Sequence, residues 1–146
     1  MTTLTSEQEE RLARWRNIAL QRMPYFAPIL FAMQPNHSTW LTTMAVDRAW
    51  RLCINFDAPQ YQNNVDAAED LLHECGHLWS RHGERAGALG IQMGEKDFNI
   101  AGDCEWNDDL VEAGCTRIEA TGVLPKHLNE PNFESAEFYY KSIKKN

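Results

Sequence analysis

The chain has 146 residues, of which 43% are hydrophobic and 24% charged. That is the size and composition of one ordinary globular domain, and it excludes a disordered or collagen-like chain. Fourteen Lys and Arg against twenty-one Asp and Glu leave a formal charge of −7, which repels phosphate backbones and argues against nucleic acid as a partner. No window approaches the roughly 18 consecutive apolar residues of a membrane span.

The N-terminal stretch MTTLTSEQEERLARW is polar and charged, unlike a secretory signal. A cytoplasmic protein is therefore expected. Cys53, Cys75, Cys104 and Cys115 form no C-x-x-C pair, so they are expected as reduced thiols, mostly buried.

In chain order, Ser6 followed by Glu9 is a capping-box signature. With Leu12, Trp15, Ile18 and Ala19 at helical spacing, it predicts a helix over about 6–22, ended before Pro24. The apolar run from Ile29 to Met33 fits either a strand or a buried helix. LTTMAVD and WRLCINF are rich in β-branched and aromatic residues and flank a tight connection at Asp47-Arg48-Ala49. They predict a β-hairpin. The arm Trp50–Asn55 is equally readable as an exposed edge, where a peptide could add as a strand, or as an interior strand.

From Asn64 or Val65 to Arg81 the pattern is helical again, with Val65, Ala68, Leu72, Cys75 and Trp79 as a buried stripe. Asp66, Glu69 and Asp70 fall in its first turns, where the helix dipole favours carboxylates. The Gly-rich run Gly83–Gly94 reads as irregular. A further helix is expected over about 97–113, with Gly114 suited to its C-cap. A last helix is expected over about 133–144.

The chemistry is concentrated in His73-Glu74-Cys75-Gly76-His77, an H-E-x-x-H motif inside the helix over 64–81. Residues four apart share a helix face, so two imidazoles there can hold one zinc ion. Glu74 projects beside them, where a carboxylate can act as a general base without ligating. Two imidazoles and a carboxylate between Leu71, Leu72, Leu78 and Trp79 would be costly without a common partner.

A catalytic zinc needs a third protein ligand. His82 lies five residues past His77, about 140° round a continuous helix, and faces away unless the helix has ended. Ser80 and Gly83 stand where a metzincin would carry Gly and His. His37 and His127 have no spacing argument. On the next helix Asn99, Asp103 and Asn107 are four apart and form a polar line. Asp103 is the expected third ligand, and Asn107 could orient a ligand imidazole by a hydrogen bond. Glu105, about 200° round from Asp103, is the competing ligand.

LLHECGHLWSRHGER, FNIAGDCEWNDDLVEAG and AEFYY together resemble the bacterial metallopeptidase-domain family found ahead of VWA-like domains. Phe98–Asn107 matches that family's W-N-I-A-x-D-x-x-I-N motif, with Phe98 for Trp and Trp106 for an apolar residue. The resemblance covers about residues 24–140.

It implies a single α+β domain over 1–146 with a minimal, gluzincin-like zincin fold. In that fold the HExxH helix and a downstream ligand helix pack on a small, mostly antiparallel sheet. His73, His77 and Asp103 would hold zinc and Glu74 would be the general base. Asp103 stands where gluzincins have Glu, one methylene shorter.

The resemblance also implies a peptide or protein substrate, and as partners VWA-like domain proteins or a MoxR-type AAA+ ATPase. The chain ends at Asn146 without a VWA-like domain, as a stand-alone or truncated version would. The competing functional reading is a catalytically inactive zinc-binding interaction module, and a third is a metal-free helical scaffold. Tyr139, Tyr140, His82 and His127 are the candidates for a second donor to a developing oxyanion.

Overall fold

The computed structural model describes residues 3–92 and 94–145. The ends of the expected 1–146 domain, and position 93 in the Gly-rich run, lie outside the described residues. The chain is mixed α+β and divides into two compact units, Met1–Trp79 and Ser80–Asn146. No helix among the described residues is long and apolar enough to cross a membrane.

The first unit opens with α1 (Ser6–Arg22), as the spacing predicts. Its cap is one residue earlier than the sequence suggests. Thr5 accepts from the Gln8 N–H at 3.2 Å, and the Gln8 side chain accepts from the Thr5 N–H at 3.0 Å. The box is thus Thr5–Gln8, not Ser6–Glu9. A hydroxyl serves as a cap only where its own backbone is extended, and Thr5 is.

A single 3₁₀ turn, Pro24–Phe26, leads into α2 (Ala27–Ala32). The ambiguous apolar run is therefore mostly helix, and Leu30 in it is fully buried. Three short strands follow: β1 (Gln34–His37), β2 (Met44–Val46) and β3 (Arg51–Ile54), in the order β1-β3-β2. β2 and β3 form the expected antiparallel hairpin, while β1 pairs parallel with β3. The central strand is β3, so the Trp50–Asn55 arm is interior and the edges are β1 and β2. Trp50 itself lies in the connection with φ +64°, outside the ladder. Asp47 shapes that turn by accepting from the Ala49 and Arg51 N–H groups at 2.9 and 3.0 Å.

A 3₁₀ turn (Pro59–Gln62) leads into α3 (Asn64–Trp79). Asn63 begins α3 by accepting from the Val65 and Asp66 N–H groups at 2.9 and 3.1 Å. α3 packs against α1 and β2. The core between them is built round Trp15, which stacks on Phe56 at 5.3 Å and tilts against Tyr61 at 5.7 Å. Its indole N–H donates to Asn64 Oδ1 at 3.1 Å, so the buried donor keeps a partner.

The expected stripe on α3 is buried at Ala68, Leu72 and Cys75 but not at its ends. Val65 is 39% and Trp79 62% exposed. Glu69, expected in the first turns of the helix, is fully buried with Arg22 Nη1 at 3.7 Å.

The second unit is helical: α4 (His82–Ala88), α5 (Lys96–Glu112), α6 (Thr116–Thr121) and α7 (Ala136–Lys145). α5 packs on both α6 and α7. Its end fits expectation, because Gly114 adopts φ +95° just past the Ala113 cap. The last helix starts three residues later than predicted, since Phe133 has φ +66° and cannot join a helix. α4 and α6 have no counterpart in the periodicity reading.

Candidate metal centre

His73, Glu74 and His77 all lie in the second half of α3. One helical turn brings the two imidazoles together. Their Nε2 atoms are 3.1 Å apart, and the rings stand nearly perpendicular, with centroids 4.6 Å apart. Two nitrogens bound to one tetrahedral ion at ~2.0–2.1 Å would sit about 3.3 Å apart. The pair therefore fits a shared divalent ion with a small adjustment. Both rings are half-buried, and Glu74, the next residue after His73, is 6% exposed.

The surroundings are dry on the core side of α3. Cys75 is fully buried and its thiol is pushed up to about 12, chiefly by burial and further by the Glu74 charge. It is a packing residue rather than a thiolate ligand. Below the motif, the Tyr61 hydroxyl donates to Asp70 Oδ2 at 2.7 Å, bracing the first half of the helix against the preceding turn.

In the second unit, Asp103 sits half-buried at the middle of α5. Asn107, one turn further along, is 1% exposed. Its Nδ2 donates to the Val123 carbonyl at 2.9 Å. The approach depends on Gly122, where a Cβ would come within 3.0 Å of Asn107 Nδ2 and 2.7 Å of the Ile118 carbonyl oxygen. Asn107 is a fixed interior amide, not a surface residue. Leu110 packs the core as expected, whereas Ala113 is exposed.

Glu105 is already engaged within its own unit. Its Oε1 lies 2.7 Å from His82 Nε2 and accepts from Arg85 Nη1 at 2.6 Å. Its Oε2 accepts from Arg85 Nη2 at 2.7 Å and from the Ala136 N–H at 2.6 Å. Burial pushes this carboxyl up, but the His82, Arg85 and Ala136 hydrogen bonds outweigh it and hold the group at about 2. An acceptor so committed has little capacity left for a metal ion. Arg85, raised by its bonds to Glu105 and Glu137, carries no periodic signal, and sequence reasoning missed it.

The helix over 64–81 ends at Trp79, and Arg81, with φ +56°, turns the chain into α4. His82 thus begins a new helix, so the angle expected of a continuous helix does not apply to it. The other histidines serve locally. His37 Nδ1 accepts from the Phe56 N–H at 3.3 Å and Nε2 lies 3.5 Å from Asp57, while His127 Nδ1 accepts from the Leu124 N–H at 3.0 Å.

Among the oxyanion candidates, Tyr139 is fully buried. Its hydroxyl donates to the Pro131 carbonyl at 2.7 Å and accepts from the Glu134 N–H at 3.2 Å. Its hydroxyl is occupied in holding the loop before α7. Tyr140 packs against Phe98 with ring centroids 5.6 Å apart.

A family model described as "Putative metallopeptidase domain" matches residues 6–144. The chain belongs to this family. Membership agrees with the resemblance read from the motifs and implies a metal cofactor and a peptidase class. No curated protein and no solved structure shows significant similarity to the chain.

Proposed function

We propose that the chain is a zinc-dependent peptidase with a zincin-type site, in which both units act together as one catalytic domain. The observation that carries this reading is the pair of imidazole nitrogens 3.1 Å apart on α3, with the Glu74 carboxylate next in sequence. His73, His77 and Asp103 would hold the ion, offering two imidazole nitrogens and one carboxylate oxygen. Two histidines and a carboxylate are a known donor set for catalytic zinc, with one position left open.

When bound, the metal supplies Lewis acidity toward water and the peptide carbonyl. Glu74 accepts a proton from the attacking water and passes it to the nitrogen of the leaving amine. Its burial, at 6% exposed, keeps bulk water from competing for that proton. Asn107 would accept from the remaining ring N–H of a ligand imidazole and fix the ring's orientation.

The substrate would bind as an added strand. The Asn55 N–H donates to the Thr43 carbonyl and the Asp47 N–H to the Arg51 carbonyl, both within the hairpin. Residues 43, 45 and 47 thus turn their backbone groups toward β3, and by alternation Met44 and Val46 direct theirs away from it. A peptide antiparallel to β2 could pair with those two residues. Partnership with VWA-like proteins or a MoxR-type ATPase, and a cytoplasmic location, belong to the same proposal and rest on the family resemblance.

The test is cleavage of a quenched fluorescent peptide library by the zinc-loaded chain. Glu74→Gln is expected to keep the metal and lose roughly 10²–10⁴-fold in rate. An unchanged rate would contradict the reading. Stoichiometric zinc without any cleavage would favour the interaction module instead.

A further inference from the structure

Glu105 follows Asp103 by two residues on α5, and its carboxylate ties three helices together. α4 supplies His82 and Arg85, and α7 supplies the Ala136 N–H. Arg85 extends the grip by donating to the Ser80 carbonyl at 3.0 Å and to the Glu137 carboxylate.

His82 makes a second contact on the same stretch of α5. A Cβ at Gly102 would lie 3.0 Å from His82 Nδ1 and 3.2 Å from two ring carbons. The imidazole therefore occupies the notch that the absent side chain leaves. One ring touches α5 just before Asp103 and holds it, through Glu105, just after. Phe98 closes the other side with its ring centroid 6.5 Å from that of His82.

We propose that His82, Arg85 and Glu105 are positioning residues for the metal ligand Asp103. They fix the rotation and height of the α5 turn that carries it. The inference rests on reading Asp103 as a ligand. Its physical basis is the short reach of Asp. A Glu could absorb a helix displacement by changing rotamer, whereas an Asp passes it to the ligating oxygen. A metal–oxygen bond tolerates only tenths of an ångström.

The experiment measures zinc affinity by chelator competition, together with the visible absorption of the cobalt-substituted protein. The full chain is compared with Glu105→Gln, Gly102→Ala and Asp103→Ala, each first checked for folding without metal by circular dichroism. Glu105→Gln and Gly102→Ala are expected to fold, to bind zinc roughly 10–100-fold more weakly, and to give an altered cobalt spectrum. Gly102→Ala is the sharper arm, because alanine is the better helix former and a merely structural role would leave the spectrum unmoved. It also decides the matter if Glu105→Gln does not fold. Wild-type affinity and spectrum in Gly102→Ala and in folded Glu105→Gln, beside loss in Asp103→Ala, would overturn the positioning role and leave the ligand set standing. Wild-type binding in Asp103→Ala would overturn the ligand set itself.

Discussion

Carboxylates on α5 differ in fate because their neighbours differ. Glu105 is saturated with donors and stays ionised far below its ordinary range. Asp109, four residues along, is pushed the other way, up to about 6, first by burial and then by the charges of Asp108, Glu112 and Glu105. The sign of its effect follows. A carboxyl whose pKa is raised on folding contributes its stability at low pH and loses it as pH rises from its ordinary value of 3.8 through about 6. Asp109→Asn should therefore leave the melting temperature of the metal-free protein unchanged at pH 4 and raise it by a few degrees at neutral pH. Melting curves across that range check this, and a pH-independent effect would contradict it. None of these shifts is visible in the sequence, where Asp108 and Asp109 read simply as adjacent acids. That Asp103 and Asn107 share a helix was legible, because four-residue spacing alone places them on one face. Arg85 was not, because its partners lie 20 and 52 residues away.

At the scale of the element, α3 does two jobs, packing one face and carrying the histidines on another. Leu72 is fully buried, and Leu72→Ala should cost about 2–5 kcal/mol, read by chemical denaturation of the full chain. Trp79 is 62% exposed and rests edge-on against Phe26 at 5.5 Å, so Trp79→Ala should cost far less. Equal losses would mean that the apolar stripe continues to the end of the helix. Periodicity identified the middle of this stripe but not where packing stops, since that depends on the neighbouring elements.

Other elements were hidden for identifiable reasons. α4 contains Gly83 and Gly87, poor helix formers. The Arg85–Glu105 contact, a tertiary interaction, offsets that weakness. The hairpin was readable from its two arms, but nothing in QPNH marks it as a third strand. β1 pairs with β3 through backbone groups, so its side chains leave no alternating pattern. The assignment of β3 as the centre, rather than an edge, followed only from that pairing.

At the scale of the whole molecule, the proposed ligands are divided between the two units. His73 and His77 belong to the first, and Asp103 to the second. A metal bound to the folded chain and not to the unfolded one would raise its stability. The acidic balance of the chain, −7 overall, favours retention of a cation in a general way. The specific prediction is stronger and comes from the donor set. The measurement that tests it most directly is metal content by mass spectrometry on protein purified without added metal, for wild type, Glu74→Gln, His73→Ala and Asp103→Ala. About one zinc per chain is expected in wild type and Glu74→Gln, and little in His73→Ala or Asp103→Ala. Wild-type protein that holds no zinc even after reconstitution would contradict it.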